Sequence, residues 1–296
     1  MAVETIDITQ MPSHRAKPPW LKVQLAHGDD YQRVRAKVAD LQLNTVCREA
    51  LCPNIAECWG AGTATIMILG DTCTRGCRFC AVKTGNPRGE VDWLEPVRVA
   101  KAVKDLNWHY LVLTAVDRDD LPDGGALIFA NTVRAIHDRV PGAKVECLTG
   151  DFRGDLRALD VVLDSSPDVL AHNLETVRRL SPRVRDKRAT YDQSLRILQH
   201  AKGRATERYT KTSLMLGLGE TQQEIEATMD DARCVGVDIF TMGQYLQPSK
   251  KHLPVSEFLS PEAFERLAAL GKSKGFRQVV SSPLSRSSYH AEQAFH

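Results

Sequence analysis

Six short runs of β-branched or aliphatic residues recur through the middle of the chain, at 65–69, 110–114, 144–148, 169–172, 211–216 and 238–242, with amphipathic stretches between them. This alternation predicts a parallel sheet wrapped by helices, because parallel neighbours need a crossover long enough to hold one. Candidate helices include 126–139 and 223–235. The second is announced by the capping-box spacing Thr221-Gln222-Gln223-Glu224 and closed by Gly236. A chain of 296 residues is long enough for one large α/β unit with a sizeable core.

Every run ends in polar or glycine-rich residues. After the first come Cys73 to Cys80, then Asp117-Arg118-Asp119-Asp120, Asp151-Phe152-Arg153, Asn173-Leu174-Glu175, Gly217-Leu218-Gly219-Glu220 and Gln244-Tyr245-Leu246-Gln247. Strand ends of a parallel barrel share one face, so these distant segments are expected to meet around a single cleft. Capping of the next helix accounts for any one of them. Six in succession beside a cysteine triplet point to a site. Gly217 and Gly219 do not make a dinucleotide fingerprint, since the third glycine is missing; they let backbone pass close to a ligand.

Six of the eight cysteines fall within 34 residues. Disulfide frameworks belong to small secreted scaffolds, whereas adjacent thiolates on a loop can converge on one soft metal centre. Cys73-Thr74-Arg75-Gly76-Cys77-Arg78-Phe79-Cys80 is C-x3-C-x2-C and supplies three ligands where a closed site needs four. The open position is what chemistry needs, because a small molecule can bind the unique iron. Cys47, Cys52 and Cys58 form C-x4-C-x5-C, again a triplet without a fourth cysteine nearby. Two zinc knuckles, each completed by a histidine such as His109 or His172, are the competing reading, although both spacings depart from the usual zinc pairs. Cys147 and Cys234 are isolated and read as buried core residues.

Hydrophobic residues make up 43% and charged residues 26% of the chain, ordinary values for a globular protein. A net charge of +2 from 39 basic and 37 acidic residues creates no global field for nucleic acid or an anionic membrane. No run is long enough to span a bilayer, and the opening residues lack the apolar core of a secretory signal, so the expected location is the cytoplasm. Residues 1–17 lack periodicity and read as a loose arm. Pro18, Pro19 and Trp20 mark where ordered structure begins.

With these motifs in view, the sequence closely resembles lipoyl synthases of the radical S-adenosylmethionine (SAM) superfamily over nearly the whole chain from Lys17 onward. C-x3-C-x2-C alone marks the superfamily; C-x4-C-x5-C placed before it is far more specific. Further matching segments are Thr114-Ala115-Val116-Asp117-Arg118-Asp119-Asp120, Gly150-Asp151-Phe152-Arg153-Gly154, His172-Asn173-Leu174-Glu175-Thr176, Gly243-Gln244-Tyr245-Leu246-Gln247-Pro248 and Arg286-Ser287-Ser288-Tyr289-His290. A biotin-synthase-like enzyme would share Cys73 to Cys80 but lack the earlier triplet.

The resemblance implies an α/β fold, a partial parallel (β/α)6 TIM-like barrel of the radical SAM type over 63–275. An N-terminal extension over 1–62 carries the auxiliary-cluster cysteines, and a C-terminal extension over 276–296 carries a serine ligand. It further implies two four-iron, four-sulfur clusters. Cys73, Cys77 and Cys80 would hold the one that binds SAM; Cys47, Cys52 and Cys58, with Ser288, would hold the other. A hydroxyl binds iron less strongly than a thiolate and can be lost as a cluster comes apart. Without the resemblance, Ser287 and Ser288 read as an ordinary polar tail.

The implied reaction inserts two sulfur atoms at carbons six and eight of an octanoyl chain on a carrier-protein lysine, and the auxiliary cluster is consumed as donor. Implied partners are an octanoylated lipoyl-carrier protein or domain, an electron donor such as ferredoxin or flavodoxin, and a protein that rebuilds the spent cluster. For SAM, contacts are expected from the backbone near Phe79, from Thr114, and from Asn173 with Glu175 at ribose hydroxyls, with Leu218 and Leu246 flanking adenine. Arg286 is expected to orient the C-terminal segment through a carboxylate.

Overall fold

The computed structural model describes residues 17–21, 28–50, 52–61, 63–289 and 291. Except for Lys17, the arm expected over 1–17 lies outside the described residues, as does His290. Eight strands form one sheet in sequence order: β1 (Asn44–Thr45), β2 (Thr65–Ile68), β3 (Tyr110–Ala115), β4 (Lys144–Leu148), β5 (Val169–Ala171), β6 (Tyr209–Leu216), β7 (Ile239–Gln244) and β8 (Gln278–Ser281). Only β1 runs antiparallel to its neighbour; β2 through β8 are parallel throughout. The sheet is open, with β1 and β8 at its edges.

All six expected strands are present with bounds within two residues. β2 and β7 are buried at every position, which is why they read as continuous apolar runs: a parallel strand covered on both faces has no polar side to alternate. The sequence expectation missed β1 and β8. β8 has four residues, all half-buried, so it lacks the buried apolar run that marks the other parallel strands. It pairs with β7 in parallel, so the segment expected as a separate extension from 276 begins inside the sheet.

Helices α1 (Asp29–Asp40), α2 (Val46–Glu49) and α3 (Ile55–Gly60) precede β2; α4 (Glu95–Asp105), α5 (Ala126–Arg139), α6 (Leu156–Leu163), α7 (Tyr191–Arg204), α8 (Gln222–Cys234) and α9 (Pro261–Ser273) follow the parallel strands. The Thr221–Glu224 capping box is formed in both directions. The inward face of α8 is Ile225, Thr228, Met229 and Ala232, the three-and-four spacing of one helical stripe. Cys234 falls off that stripe and is exposed, which corrects its reading as core, whereas Cys147 on β4 is fully buried.

Beneath the cleft, Lys211 Nζ on β6 lies 3.0 Å from both carboxylate oxygens of Glu146 on β4. Tyr110 on β3 donates to the same carboxylate at 2.7 Å. The pair is 3% and 0% exposed, so removing one partner strands a buried charge, at a cost of roughly 3–5 kcal/mol. Lys211→Met is expected to lose stability of that order in denaturant unfolding. Lys211→Met with Glu146→Leu is expected to recover most of it, and a single variant as stable as the wild type would contradict the assignment.

Candidate active site

After β2 the chain turns through Leu69, which adopts a left-handed φ of 70°. Thr72–Cys73 then pairs in parallel with Lys83–Thr84, a two-residue ribbon that pinches the base of the cysteine loop. Within it, Gly85 N–H donates to the Cys73 carbonyl at 2.9 Å and Cys80 N–H to the Cys77 carbonyl at 3.1 Å. Two sulfurs already accept backbone bonds: Cys73 Sγ from Arg75 N–H at 3.4 Å and Cys77 Sγ from Asp186 N–H at 3.2 Å. Burial pushes the Cys77 thiol up to about 12 and Cys80 to about 11, and raises Cys73 as well. Such thiols become ligands when a metal displaces the proton.

The three-residue spacer between Cys73 and Cys77 is fastened residue by residue. Thr74 donates both N–H and hydroxyl to the Asp117 carbonyl at 2.9 Å, and Gly76 N–H donates to Asp186 at 2.9 Å. Arg75 between them is buried, its guanidinium bonded twice to Asp119 at 2.9 and 3.0 Å and lying 2.6 Å from Asp151 and 3.7 Å from Asp117. Burial opposes the charge on Arg75, but the hydrogen bonds of Asp119 and Asp151 outweigh it and raise its pKa. Burial also opposes ionisation of Asp151, yet Arg75 holds its carboxyl below the ordinary range. Asp117, with a weaker share of Arg75, is pushed up to about 6 by burial.

A cavity of about 290 Å³ opens between this loop and the strand ends. Cys73, Cys77 and Cys80 line it, as do Phe79, Thr114, Asn173 and Glu175. Leu218 and Leu246 do not; Leu218 packs in the core formed around β6 and β7, because the positive φ of Gly217 turns the chain away there. Glu175 sits at a left-handed φ of 68° and accepts from Asn173 Nδ2 at 3.1 Å; a non-glycine residue held so is a mark of functional sites. The Thr114 hydroxyl is occupied by the Leu148 carbonyl at 2.9 Å.

Four buried polar atoms on this wall have no hydrogen-bond partner: Thr149 Oγ1, Asp151 Oδ2, Asn173 Oδ1 and Thr241 Oγ1. Orphaned atoms converging on one cavity are what a polar ligand would satisfy. Met67, Val116, Leu148 and Leu214 make the rest of the wall apolar.

The second triplet meets the other end of the chain. Cys47 lies in α2, which is capped by the Thr45 side chain, and Cys58 in α3 precedes Trp59, which is 1% exposed and packs 5.4 Å from Tyr31. Asn54 Nδ2 donates to the Leu284 carbonyl at 2.7 Å, and Tyr289 donates to Glu57 at 2.7 Å. A side chain at Gly243 would come within 1.9 Å of the Ser285 carbonyl, so the C-terminal segment crosses β7 where only glycine leaves room. Ser285, Arg286 and Ser287 thereby line the same cavity, together with Val46 and Ala50; Ser288 is half-buried beside them but off the cavity wall.

Arg286 donates to the Ser285 carbonyl at 2.7 Å, and its charge faces Cys52. The expected carboxylate partner is absent among the described residues: burial of the segment places a thiol there instead. Burial also pushes Cys47 up to about 11 and raises Cys52, with Arg286 opposing the rise at Cys52.

Each triplet thus offers three soft donors and leaves a coordination position for something else, which fits an iron-sulfur cube. No disulfide joins the described cysteines. A zinc knuckle fits less well. His172 has both ring nitrogens engaged, at 2.8 Å from the Thr149 carbonyl and 2.8 Å from Ser194 Oγ, and burial lowers it to about 4, so it stays neutral. His109 precedes β3, at the opposite end of the sheet from the cysteine loop.

The sequence reading passed over Arg75, Asp186, Thr149 and Thr241, as well as Arg185, which lines the cavity, and Arg188, which pairs with Asp119 and Asp186. For Arg75 a signal existed, since a charged residue between two ligand cysteines invites the question of what it pairs with. No local pattern marks the two threonines.

Residues 67–232 match the model of the Radical SAM superfamily, and residues 5–52 match that of the N-terminal domain of lipoyl synthase of the Radical SAM family. The fold is shared with the FeFe-hydrogenase maturase HydG from Carboxydothermus hydrogenoformans (TM-score 0.56, 13% identity, 89% of this chain and 78% of that one). It is shared too with Streptococcus suis SuiB bound to S-adenosylmethionine (TM-score 0.55, 11% identity, 77% and 53%). Fold and cysteine loop define a radical SAM enzyme, with the SAM and four-iron, four-sulfur cluster that this class implies.

Among relatives, the lipoyl synthase of Thermus thermophilus is 58% identical over 284 residues, 96% of this chain and 88% of that protein. The lipoyl synthase of Deinococcus radiodurans is 54% identical over 283 residues (96% and 86%), and the chloroplastic lipoyl synthase 2 of Zea mays is 55% identical over 290 (94% and 79%). The chain belongs to the lipoyl synthase family. No described helix is long and apolar enough to cross a membrane.

Proposed function

We propose that the chain, in the cytoplasm, inserts two sulfur atoms at carbons six and eight of an octanoyl group held on a lysine of a carrier protein. Cys73, Cys77 and Cys80 hold the cluster that serves SAM, and Cys47, Cys52, Cys58 and Ser288 hold a second four-iron, four-sulfur cluster. When bound, the first supplies the electron that cleaves SAM and the second supplies the sulfur. A ferredoxin- or flavodoxin-type donor and a cluster-rebuilding protein complete the cycle.

The observation that carries this reading is the meeting of the two chain ends at one cavity. The bonds Asn54 to Leu284 and Tyr289 to Glu57 bring the C-x4-C-x5-C segment against Arg286 to Tyr289, and Arg286 and Ser287 face the space that the other triplet lines. Asn173 and Glu175 are positioned to accept from ribose hydroxyls, with Phe79 contributing through its backbone. Thr114 contributes shape, its hydroxyl being already bonded. Leu214 and Met215, which line the cavity, take the adenine-flanking part expected of Leu218 and Leu246. The apolar wall excludes water, which a carbon radical requires.

Anaerobic incubation with SAM, a reductant and an octanoylated carrier peptide tests the reading. The expected product gains the mass of two sulfur atoms, and a peptide unchanged while SAM is cleaved would overturn it. Gly243→Ala gives a narrower check. It forces the Ser285 backbone away from β7, so the variant is expected to lose most sulfur transfer while retaining SAM cleavage. Product yield against 5'-deoxyadenosine yield reads the split; unchanged coupling would mean that the C-terminal segment does not complete the second site.

A further inference from the structure

The cysteine loop has an outer face as well as a cavity face. Arg78, between Cys77 and Cys80, donates its N–H to the Val184 carbonyl at 2.9 Å, and its carbonyl accepts from Leu253 N–H at 3.1 Å. The His252 ring lies 2.9 Å from the Cys80 carbonyl, and Asp186 N–H lies 3.2 Å from Cys77 Sγ. Segments 183–188 and 249–253 are therefore fastened to the thiol loop from two sides.

These segments are basic. Arg78, Lys187, Lys250 and Lys251 are exposed, and none of the four forms an ion pair with a described residue. Asp186, the carboxylate of these segments, is already engaged by Arg188 and by Gly76 N–H. The three lysines lie no more than three residues, about 10 Å of extended chain, from a backbone bond to Arg78. The whole chain carries only +2, so the concentration is local. None of the four lines the cavity.

We propose that this face is the docking surface of an acidic protein that delivers the electron to the cluster held by Cys73, Cys77 and Cys80; the inference rests on the function proposed above. The donor loses one electron and the cluster gains it, with no bond made or broken. The segments that carry the face bond the cysteine loop at the Cys77 thiol and at the Cys80 carbonyl. A carrier protein, by contrast, must feed an acyl chain into the cavity, which these residues do not border. Opposite charge on the donor steers the encounter and fixes its orientation.

The test is Lys187→Glu with Lys250→Glu and Lys251→Glu in the holoenzyme, following 5'-deoxyadenosine formation. With an acidic flavodoxin as reductant at low ionic strength, the rate is expected to fall about tenfold or more, and the deficit to shrink as added salt screens the charges. With dithionite the variant is expected to match the wild type. Equal rates with flavodoxin, or equal losses with both reductants, would overturn the proposal. So would a raised KM for octanoylated carrier under dithionite, which would give the surface to the carrier. A wild-type enzyme that makes no sulfur-bearing product with either reductant would instead count against the function proposed above.

Discussion

Cys73→Ala is expected to reduce SAM cleavage to background, whereas Cys47→Ala is expected to keep cleaving SAM and to transfer no sulfur. The asymmetry follows from where the two triplets sit. Cys73 closes the ribbon with Lys83–Thr84 and lines the cavity with Cys77 and Cys80, so its loss removes a ligand from the site where SAM is reduced. Cys47 lies in α2 and in the core, in the segment tied to the C-terminal residues, and does not line the cavity that the first triplet lines. The measurement is 5'-deoxyadenosine and sulfur-bearing product in single-turnover assays. Equal loss of both activities in the Cys47 variant would mean that the division of labour is wrong.

The second large effect is expected at Arg75. Its guanidinium is 1% exposed and neutralises Asp119 and Asp151, themselves 13% and 0% exposed. Arg75→Met leaves Asp151 without its counter-charge and Asp119 with Arg188 alone, a cost on the order of 3–5 kcal/mol for a broken buried pair. Thr74 and Gly76 still tie the loop to Asp117 and Asp186, but Arg75 is the spacer's one charged residue, so the cheapest relief is for the loop to shift around it. Arg75→Met is expected to lose iron from the first cluster and to cut turnover by about two orders of magnitude, a loss of roughly 2.7 kcal/mol in transition-state terms. Arg75→Lys keeps the charge but not the planar fork, and should fall between. Full iron content and wild-type turnover in the methionine variant would show that the loop needs no such clamp.

How much of this was legible in sequence depends on the range of the interaction. Six of the parallel strands show themselves because burial fills them largely with aliphatic residues, and the helix 223–235 shows itself because its capping box lies within four residues. Arg75 and Asp151 are paired across 76 positions, and Asn54 reaches Leu284 across 230. No local periodicity encodes such contacts, so only three-dimensional placement exposes them. Leu218 illustrates the opposite failure. A leucine between two glycines reads the same whether it faces a ligand or the core, and the backbone turn at Gly217 decides for the core. Cys234 was read as buried because lone cysteines usually are, but its angular position on α8 outweighs the tendency of its type.

The most direct test of the account is iron and acid-labile sulfide per chain in protein prepared without oxygen, compared with a Cys47→Ala, Cys52→Ala, Cys58→Ala variant. Two cubes in the wild type and one in the triple variant is the predicted result. Iron for a single cube in both proteins, or zinc in place of iron, would contradict it.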